Sequence, residues 1–168
     1  PDQQLGVSRA LIASLFLIFA ISLLPGMFGG KLGELDAYVP LAQEGSYGSS
    51  SGGEKLTWMK DNYQEALAKA RQENKLLFVN FTGHTCTNCK WMKSNMFPKP
   101  EVMAEMKKFV LVELYNDGAD ATAEKIQELQ QSKFNTIAVP FYALMDGDEK
   151  VIATFPRLTR DSKEFVTF

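Results

Sequence analysis

Two cysteines three positions apart are the residues of this chain most suited to chemistry. Cys86 and Cys89 are its only cysteines, and they lie in the stretch FVNFTGHTCTNCKWMKSNMF, residues 78–97. This stretch passes from an apolar strand pattern into a helical one, so both sulfurs should share the first helical turn. The helix N-terminus would stabilise a thiolate at Cys86, and the more buried Cys89 could then attack a mixed disulfide. The spacing therefore predicts a redox-active pair.

Metal binding and a static disulfide are the two other roles open to this pair. A zinc site usually has four ligands, and the chain's single histidine, His84, lies only two residues before Cys86. A structural disulfide across so short a loop would remove little entropy from the unfolded chain. We therefore expect no metal, and no cofactor beyond the Cys86–Cys89 disulfide itself.

The apolar pattern around the pair predicts an α/β domain. The runs LLFVNF at 76–81 and FVLVELY at 109–115 are typical of strands buried on both faces. The predicted order is β-α-β-α-β-α-β-β-α, which gives a central mixed sheet flanked by helices and ending in an antiparallel hairpin. The predicted strands are 55–59, 76–81, 109–115, 136–145 and 150–155, and the predicted helices are 62–75, 88–97, 100–109, 120–134 and 159–168.

A proline lies in the fourth predicted strand, within the sequence IAVPFYAL. Proline is poorly tolerated inside a central strand, so Pro140 should lie at a strand entry. A cis Val139–Pro140 bond would expose the neighbouring backbone to an extended substrate segment beside the disulfide. An ordinary trans proline at a strand start is equally consistent with the spacing alone.

Composition divides the chain into three parts. Residues 10–24 carry no charge, and we predict a transmembrane helix and its exit over 1–30, with a signal peptide or a buried core helix as alternatives. The Gly/Ser-rich run within 31–55 predicts a flexible linker to a soluble domain at 56–168. The Pro1 start and the short last helical pattern indicate a fragment of a longer protein.

A net charge of −2 argues against nucleic acid as a partner.

These features together resemble the thioredoxin fold. FTGHTCTNCKWMKSNMFPKPEV, residues 81–102, is similar to the signature of one branch, the C-terminal periplasmic domain of the thiol:disulfide interchange protein DsbD, a cytochrome c biogenesis transmembrane family. ISLLPGMFGGKLGELDAYVP, residues 21–40, resembles the end of the last membrane helix of such proteins. The resemblance implies a thioredoxin-like domain, truncated in its last helix and preceded by a transmembrane helix.

The resemblance also implies a direction of electron flow. A membrane-embedded cysteine pair of the same protein would reduce Cys86–Cys89, and the domain would pass electrons to disulfides of extracytoplasmic partner proteins. It would do so from the inner (cytoplasmic) membrane, with the soluble domain on the periplasmic side. A disulfide oxidase or isomerase on the same fold, and a non-enzymatic docking module, remain alternatives. Reduction potential decides the direction, and composition does not reveal it.

Three further residues are candidates for tuning the thiols. In the resembled branch an acid commonly lies six positions before the first cysteine and another four after the second; this chain has Asn80 and Lys93 there. Loss of buried carboxylates should lower the pKa of the Cys86 thiol. Positive charge on Lys93 or His84 should act in the same direction. The alternative is that Glu113, on the next core strand, supplies the missing carboxylate.

Overall fold

A computed structural model describes residues 6–27 and 56–168, which belong to two separate units. In the first unit, helix α1 spans Val7–Met27. Its 21 residues give a length of about 32 Å at 1.5 Å per residue, and all side chains from Gly6 to Leu24 are exposed. This exposure argues against a buried core helix, and the helix is long and apolar enough to span a membrane. The predicted linker, 31–55, lies outside the described residues.

The second unit is an α/β domain whose elements follow the predicted order. The helix that follows the cysteines continues as a π-helical segment. The elements are β1 (Trp58–Lys60), α2 (Tyr63–Glu73), β2 (Leu77–Thr82), α3 (Thr87–Trp91), the π-helical segment (Met92–Met96), α4 (Pro100–Met106), β3 (Val110–Tyr115), α5 (Ala121–Phe134), β4 (Phe141–Met145), β5 (Val151–Phe155) and α6 (Ser162–Val166).

The five strands form one mixed sheet in the order β1-β3-β2-β4-β5. β1 and β2 run parallel to β3, whereas β4 is antiparallel to both β2 and β5. Every residue of β2 and β3 is buried, which explains their continuous apolar sequences. In this register Asn80 lies between Glu113 of β3 and Tyr142 of β4.

Two apolar clusters cover the faces of the sheet. Alternate residues of β2 divide between them, with Val79 and Phe81 in one cluster and Phe78 in the other. The first cluster packs under α2 and α5, and the second packs under α3, the π-helical segment, α4 and α6. Asn80 and Thr82 therefore lie on the face that the disulfide-bearing helix covers.

The fourth strand is shorter than predicted, beginning at Phe141 rather than at residue 136. The carbonyls of Ile137 and Ala138 accept hydrogen bonds from the side-chain amides of Asn116 and Gln130, at 2.9 Å each. Because these side chains supply hydrogen-bond donors to the backbone carbonyls, residues 137 and 138 do not pair with a neighbouring strand. Pro140 thus lies immediately before the strand, where a residue without an N–H is tolerated.

Truncation of Phe81 tests the first cluster. Its side chain is 1% exposed, and its ring lies 5.7 Å from Phe134 and 6.0 Å from Phe141, centroid to centroid. We expect Phe81→Ala to lower the free energy of unfolding by about 3–5 kcal/mol, measured by urea denaturation. Ile137→Ala, at a side chain 52% exposed, is the control and should change it by less than about 0.5 kcal/mol. Equal effects of the two substitutions would contradict the packing described here.

Candidate active site

The two cysteines form a disulfide at the start of α3. The S–S distance is 2.06 Å and the Cα atoms lie 5.3 Å apart. Cys86 is the N-cap of α3, and its Sγ accepts a hydrogen bond from the backbone N–H of Cys89 at 3.1 Å. The first sulfur therefore lies where the unpaired N–H groups of a helix favour negative charge.

The two sulfurs differ in accessibility. Cys86 is partly exposed, whereas Cys89 is only 2% exposed. Trp91 and Met92, which follow Cys89 along the helix, belong to the second apolar cluster, as expected for packing residues. A partner thiol or disulfide can therefore reach Cys86 from solvent, and Cys89 can react only with a sulfur already attached there.

A carboxylate fixes the loop that leads into the disulfide. Asp117, two residues beyond β3, accepts hydrogen bonds from the backbone N–H groups of His84 and Thr85 at 2.7 and 2.8 Å. It also accepts one from the Thr85 hydroxyl at 2.8 Å. A Cβ at Gly83 would lie only 2.8 Å from the Asp117 carboxylate oxygen. The loop thus needs glycine there for the carboxylate to approach.

The protonation state of Asp117 follows from these contacts. Partial burial opposes ionisation, but the hydrogen bonds from Thr85 and His84 outweigh it and hold the pKa of the Asp117 carboxyl below its usual range. The carboxylate therefore stays ionised at neutral pH, and it places a negative charge against the loop residues His84 and Thr85 that precede Cys86.

Polar side chains are buried on the sheet face that the disulfide-bearing helix covers. Asn80 is 1% exposed, and neither amide atom has a hydrogen-bond partner within residues 6–27 and 56–168. Its neighbour across the sheet, Glu113, makes a 2.6 Å ion pair with Lys93, and both side chains are about 95% buried. Lys93 also donates a hydrogen bond to the Tyr115 hydroxyl at 2.8 Å.

This arrangement changes the expectation for Lys93. The sequence treats it as a positive charge near the thiols, but Glu113 neutralises that charge within the same buried site. Glu113 places a carboxylate beside Asn80 on the adjacent strand, and its action on the thiols, the alternative that the sequence leaves open, stays a prediction. The predicted lowering of the Cys86 thiol pKa therefore depends on Asn80 and the helix N-terminus more than on Lys93.

His84 is exposed, but its ring has a defined place. It stacks on the Tyr115 ring with centroids 4.2 Å apart and planes 19° apart. Tyr115 in turn contacts the ammonium of Lys93, so the loop before Cys86 is joined to the buried ion pair through one aromatic ring. His84 has a positional role in this contact, and its predicted effect on the thiols remains a prediction.

The Val139–Pro140 peptide bond is cis, one of the two alternatives that the spacing leaves open. Pro140 is buried and Val139 is half-buried. Gln130, which is fully buried, links Asn116 to the carbonyl of Ala138 and so holds the segment that enters this bond. Contact between Pro140 and Cys86, and a substrate groove there, remain predictions.

Comparison with known proteins places this geometry in a family. Residues 57–147, more than half of the chain, match the model of a family described as thioredoxin-like. The chain is a member of the thioredoxin-like family. No curated protein matches the sequence.

Solved structures agree with the thioredoxin-like fold at low sequence identity. A DsbH oxidoreductase has a TM-score of 0.55 at 21% identity, covering 71% of this chain and 90% of its own. A thioredoxin from Thermus thermophilus has a TM-score of 0.55 at 22% identity, covering 67% and 82%. The oxidised DsbD C-terminal domain of Neisseria meningitidis has a TM-score of 0.49 at 18% identity, covering 62% and 87%. The two likenesses with a TM-score of 0.55 agree with the thioredoxin-like fold, and at these identities they do not select a branch within it.

Sequence reasoning did not single out Asp117 as a site residue of the thioredoxin-like domain. A signal for it exists, because β2 and β3 are parallel neighbours and their carboxyl ends meet at one edge of the sheet. An acid shortly after β3 should therefore lie near the loop after β2. Within residues 6–27 and 56–168 there is no cluster of three or more His, Cys, Asp or Glu placed to hold a metal.

The Asp117 contacts predict a pH-dependent contribution to stability. Because the folded pKa is lowered, this contribution is fully present above the usual carboxyl pKa and is lost as pH falls through the lowered value. We expect Asp117→Asn to lower the free energy of unfolding by about 0.5–1.5 kcal/mol at neutral pH. The difference from wild type should shrink in acid, which thermal unfolding at several pH values would measure. A difference that stays constant down to strongly acidic pH would contradict this account.

The buried ion pair predicts a second stability pattern. Removing one partner leaves the other charge buried, so Lys93→Met or Glu113→Gln alone should cost about 3–5 kcal/mol of unfolding free energy. The double variant Lys93→Met/Glu113→Leu removes both charges and should lie within about 1 kcal/mol of wild type. Urea denaturation of the three variants tests this. Additive losses in the double variant would show that the two side chains act independently.

Proposed function

We propose that this chain is a membrane-tethered thiol:disulfide oxidoreductase that passes electrons to disulfides of extracytoplasmic proteins. The observation that carries the proposal is the asymmetric pair, with Cys86 accessible at a helix N-terminus and Cys89 buried behind it, in a thioredoxin-like domain. Cys86 attacks the partner's disulfide, and Cys89 resolves the resulting mixed disulfide. The pair is its own redox group, and the proposal needs no further cofactor.

The reductive direction and the electron donor are the finer part of the proposal. The resemblance of residues 81–102 to the DsbD branch supports a membrane-embedded cysteine pair of the same protein as the donor. Two thiol-disulfide exchanges then carry each electron pair. The first reduces Cys86–Cys89 at the expense of the donor, and the second reduces the acceptor's disulfide. The donor and acceptor must both reach Cys86, the accessible sulfur of the pair.

The apolar helix supports the tether. Helix α1 is long enough to cross a bilayer, and its described side chains present no polar face. Such an anchor holds the domain near a membrane donor and raises the effective concentration of each for the other. We place the protein in the inner membrane, with the domain on the periplasmic side.

The segment at Val139 and Pro140 is the proposed contact for the acceptor. A partner's disulfide lies in an extended stretch when it is accessible to exchange, and extended backbone pairs with exposed backbone groups. Val139 is half-buried. The side chains of Asn116 and Gln130 hold the backbone of the two residues before it, so the segment has a fixed conformation. Recognition through backbone would let the domain accept partners of different sequence.

Trapping experiments test the order of attack. Cys89→Ser should accumulate a mixed disulfide with an acceptor, because Cys86 still attacks and nothing resolves the product. Cys86→Ser should accumulate none, since the remaining thiol is 2% exposed. Non-reducing electrophoresis after incubation of the reduced chain, in mild detergent, with a disulfide-bearing substrate such as insulin would measure both. The Cys86→Ser/Cys89→Ser variant is the control, and equal trapping by the two single variants would contradict the roles assigned.

The reduction potential tests the direction. A reductase should have a potential near that of thioredoxin, about −270 mV, whereas a strong oxidase lies near about −120 mV. We expect a value near the lower one when the chain is equilibrated with glutathione or dithiothreitol redox buffers and its thiols are counted. A value near the upper one would assign the chain to the oxidase class instead.

A further inference from the structure

Two adjacent residues after β3 hold two exposed segments of the domain. The Asp117 carboxylate accepts hydrogen bonds from the backbone N–H groups of His84 and Thr85, in the loop that leads into the disulfide. The side-chain amide of Asn116 donates to the carbonyl of Ile137 at 2.9 Å, in the segment before the cis proline. One dipeptide therefore contacts both of the segments on which the proposed function depends.

These two segments meet the sheet at the same edge. In the register of the sheet, Thr82 at the end of β2 lies beside Tyr115 at the end of β3. Phe81 of β2 lies beside Phe141, the first residue of β4, so the segment before β4 reaches the sheet at this edge too. The dipeptide 116–117 follows β3 directly and thus starts from the edge where both segments meet the sheet.

Asn116 has a fixed position of its own. It is 4% exposed, and its backbone N–H donates to the Thr82 carbonyl at 3.0 Å, which extends the pairing of β3 with β2 by one residue. Its side-chain nitrogen donates to the carbonyl of Ile137 and also to Oε1 of Gln130, the latter at 2.8 Å. Gln130 donates in turn to the carbonyl of Ala138 at 2.9 Å. Because both bonds of Asn116 are donated by its amide nitrogen, an aspartate of the same shape could not make them.

These hydrogen bonds contribute little to the apolar core. The four residues whose backbone is held are exposed, and none belongs to either apolar cluster. They are His84, Thr85, Ile137 and Ala138. Fixing exposed backbone costs conformational entropy, and here no burial of these side chains in a cluster offsets it. Support of the core therefore does not account for the contacts, whereas a surface that must keep one shape for a partner does.

We propose that Asn116 and Asp117 are positioning residues that hold the disulfide loop and the acceptor segment, residues 137–139, at a fixed spacing, an inference that rests on the proposed function. A protein disulfide that lies along the acceptor segment meets Cys86 in a reactive geometry only while both segments keep their places. A small disulfide does not use the segment and needs only an accessible Cys86. Loss of either side chain therefore slows exchange with protein disulfides far more than exchange with small ones.

Two substrates of different size test this selectivity. The reduced chain, in mild detergent, is mixed with dithiodipyridine, a small uncharged disulfide whose released thione absorbs ultraviolet light. The bimolecular rate constant of the first release reports the reactivity of the Cys86 thiol alone. Turnover of insulin, with dithiothreitol as the reductant, gives kcat/KM for a protein disulfide. Thermal unfolding of each variant ensures that both assays are run on folded chain.

The variants remove one support at a time. Asn116→Ala should lower kcat/KM for insulin by about 10-fold and leave the dithiodipyridine rate within about 2-fold of wild type, because only the first reaction depends on alignment. Gln130→Met keeps Asn116 and removes the bond to Ala138, so it is a milder second variant with the same selectivity. Asp117→Asn should lower kcat/KM for insulin as much as Asn116→Ala does. The double variant Asn116→Ala/Asp117→Asn should lose about 10-fold rather than about 100-fold, because residues that act as a unit are not additive.

Asp146→Asn is the matched control. Like Asp117, Asp146 accepts two backbone N–H groups on its carboxylate, those of Asp148 and Lys150 at 2.9 Å each. Its turn joins β4 to β5 at the end of the sheet where β2 begins, opposite to the end that carries the disulfide. The substitution should change neither rate by more than about 2-fold.

The outcomes separate this inference from the proposed function. Equal slowing with both substrates in Asn116→Ala and Gln130→Met would overturn the inference, because it would show a general loss of reactive chain. Wild-type insulin rates in the single variants would overturn it as well, and so would a loss of about 100-fold in the double variant, since the two side chains would then act separately. If the wild-type chain reacts with dithiodipyridine but does not reduce insulin, the proposed function itself fails and the inference fails with it.

Discussion

The ion pair between Lys93 and Glu113 determines how the disulfide-bearing helix is held on the sheet. It joins Lys93, in the π-helical segment that continues the helix of Cys89, to Glu113 of β3, and both side chains are buried. A buried lysine is tolerated only with its carboxylate in place, so this contact admits one register between helix and sheet. Tyr115 extends the contact to the His84 ring and hence to the loop before Cys86. The positions of the helix and of the loop that carry the two cysteines thus depend on the buried Lys93–Glu113 ion pair.

Much of the fold follows from the sequence because burial leaves a direct pattern. β2 and β3 are buried at every position, and their sequences are continuous apolar runs. The C-x-x-C pair lies at the predicted junction of strand and helix, because a buried strand must turn at the sheet edge before a helix can return. The start of β4 was predicted too early, since an apolar stretch does not show that Asn116 and Gln130 satisfy its backbone from another element.

The electrostatics of the site follow less directly from the sequence. Lys93 was predicted as a source of positive charge, and only the fold shows that Glu113, twenty residues later, neutralises it. Asp117 lies 33 residues from His84 in the chain and yet holds its backbone. Such pairs depend on register between strands and on the angle of a helix. A resemblance carried over residue by residue identifies the position of a missing acid, Asn80, but not the side chain that replaces it.

The π-helical segment Met92–Met96 bears on how this chain should be aligned with its relatives. Its closing hydrogen bond runs from the Phe97 N–H to the Met92 carbonyl at 3.0 Å, five residues apart rather than four. The segment therefore holds one residue more than an α-helical path between the same end points. An alignment drawn without a gap would compare each residue after this segment with the wrong neighbour in a relative whose helix is regular. Residue equivalences beyond Met92 are best taken from superposed coordinates, with a one-residue insertion allowed at this turn.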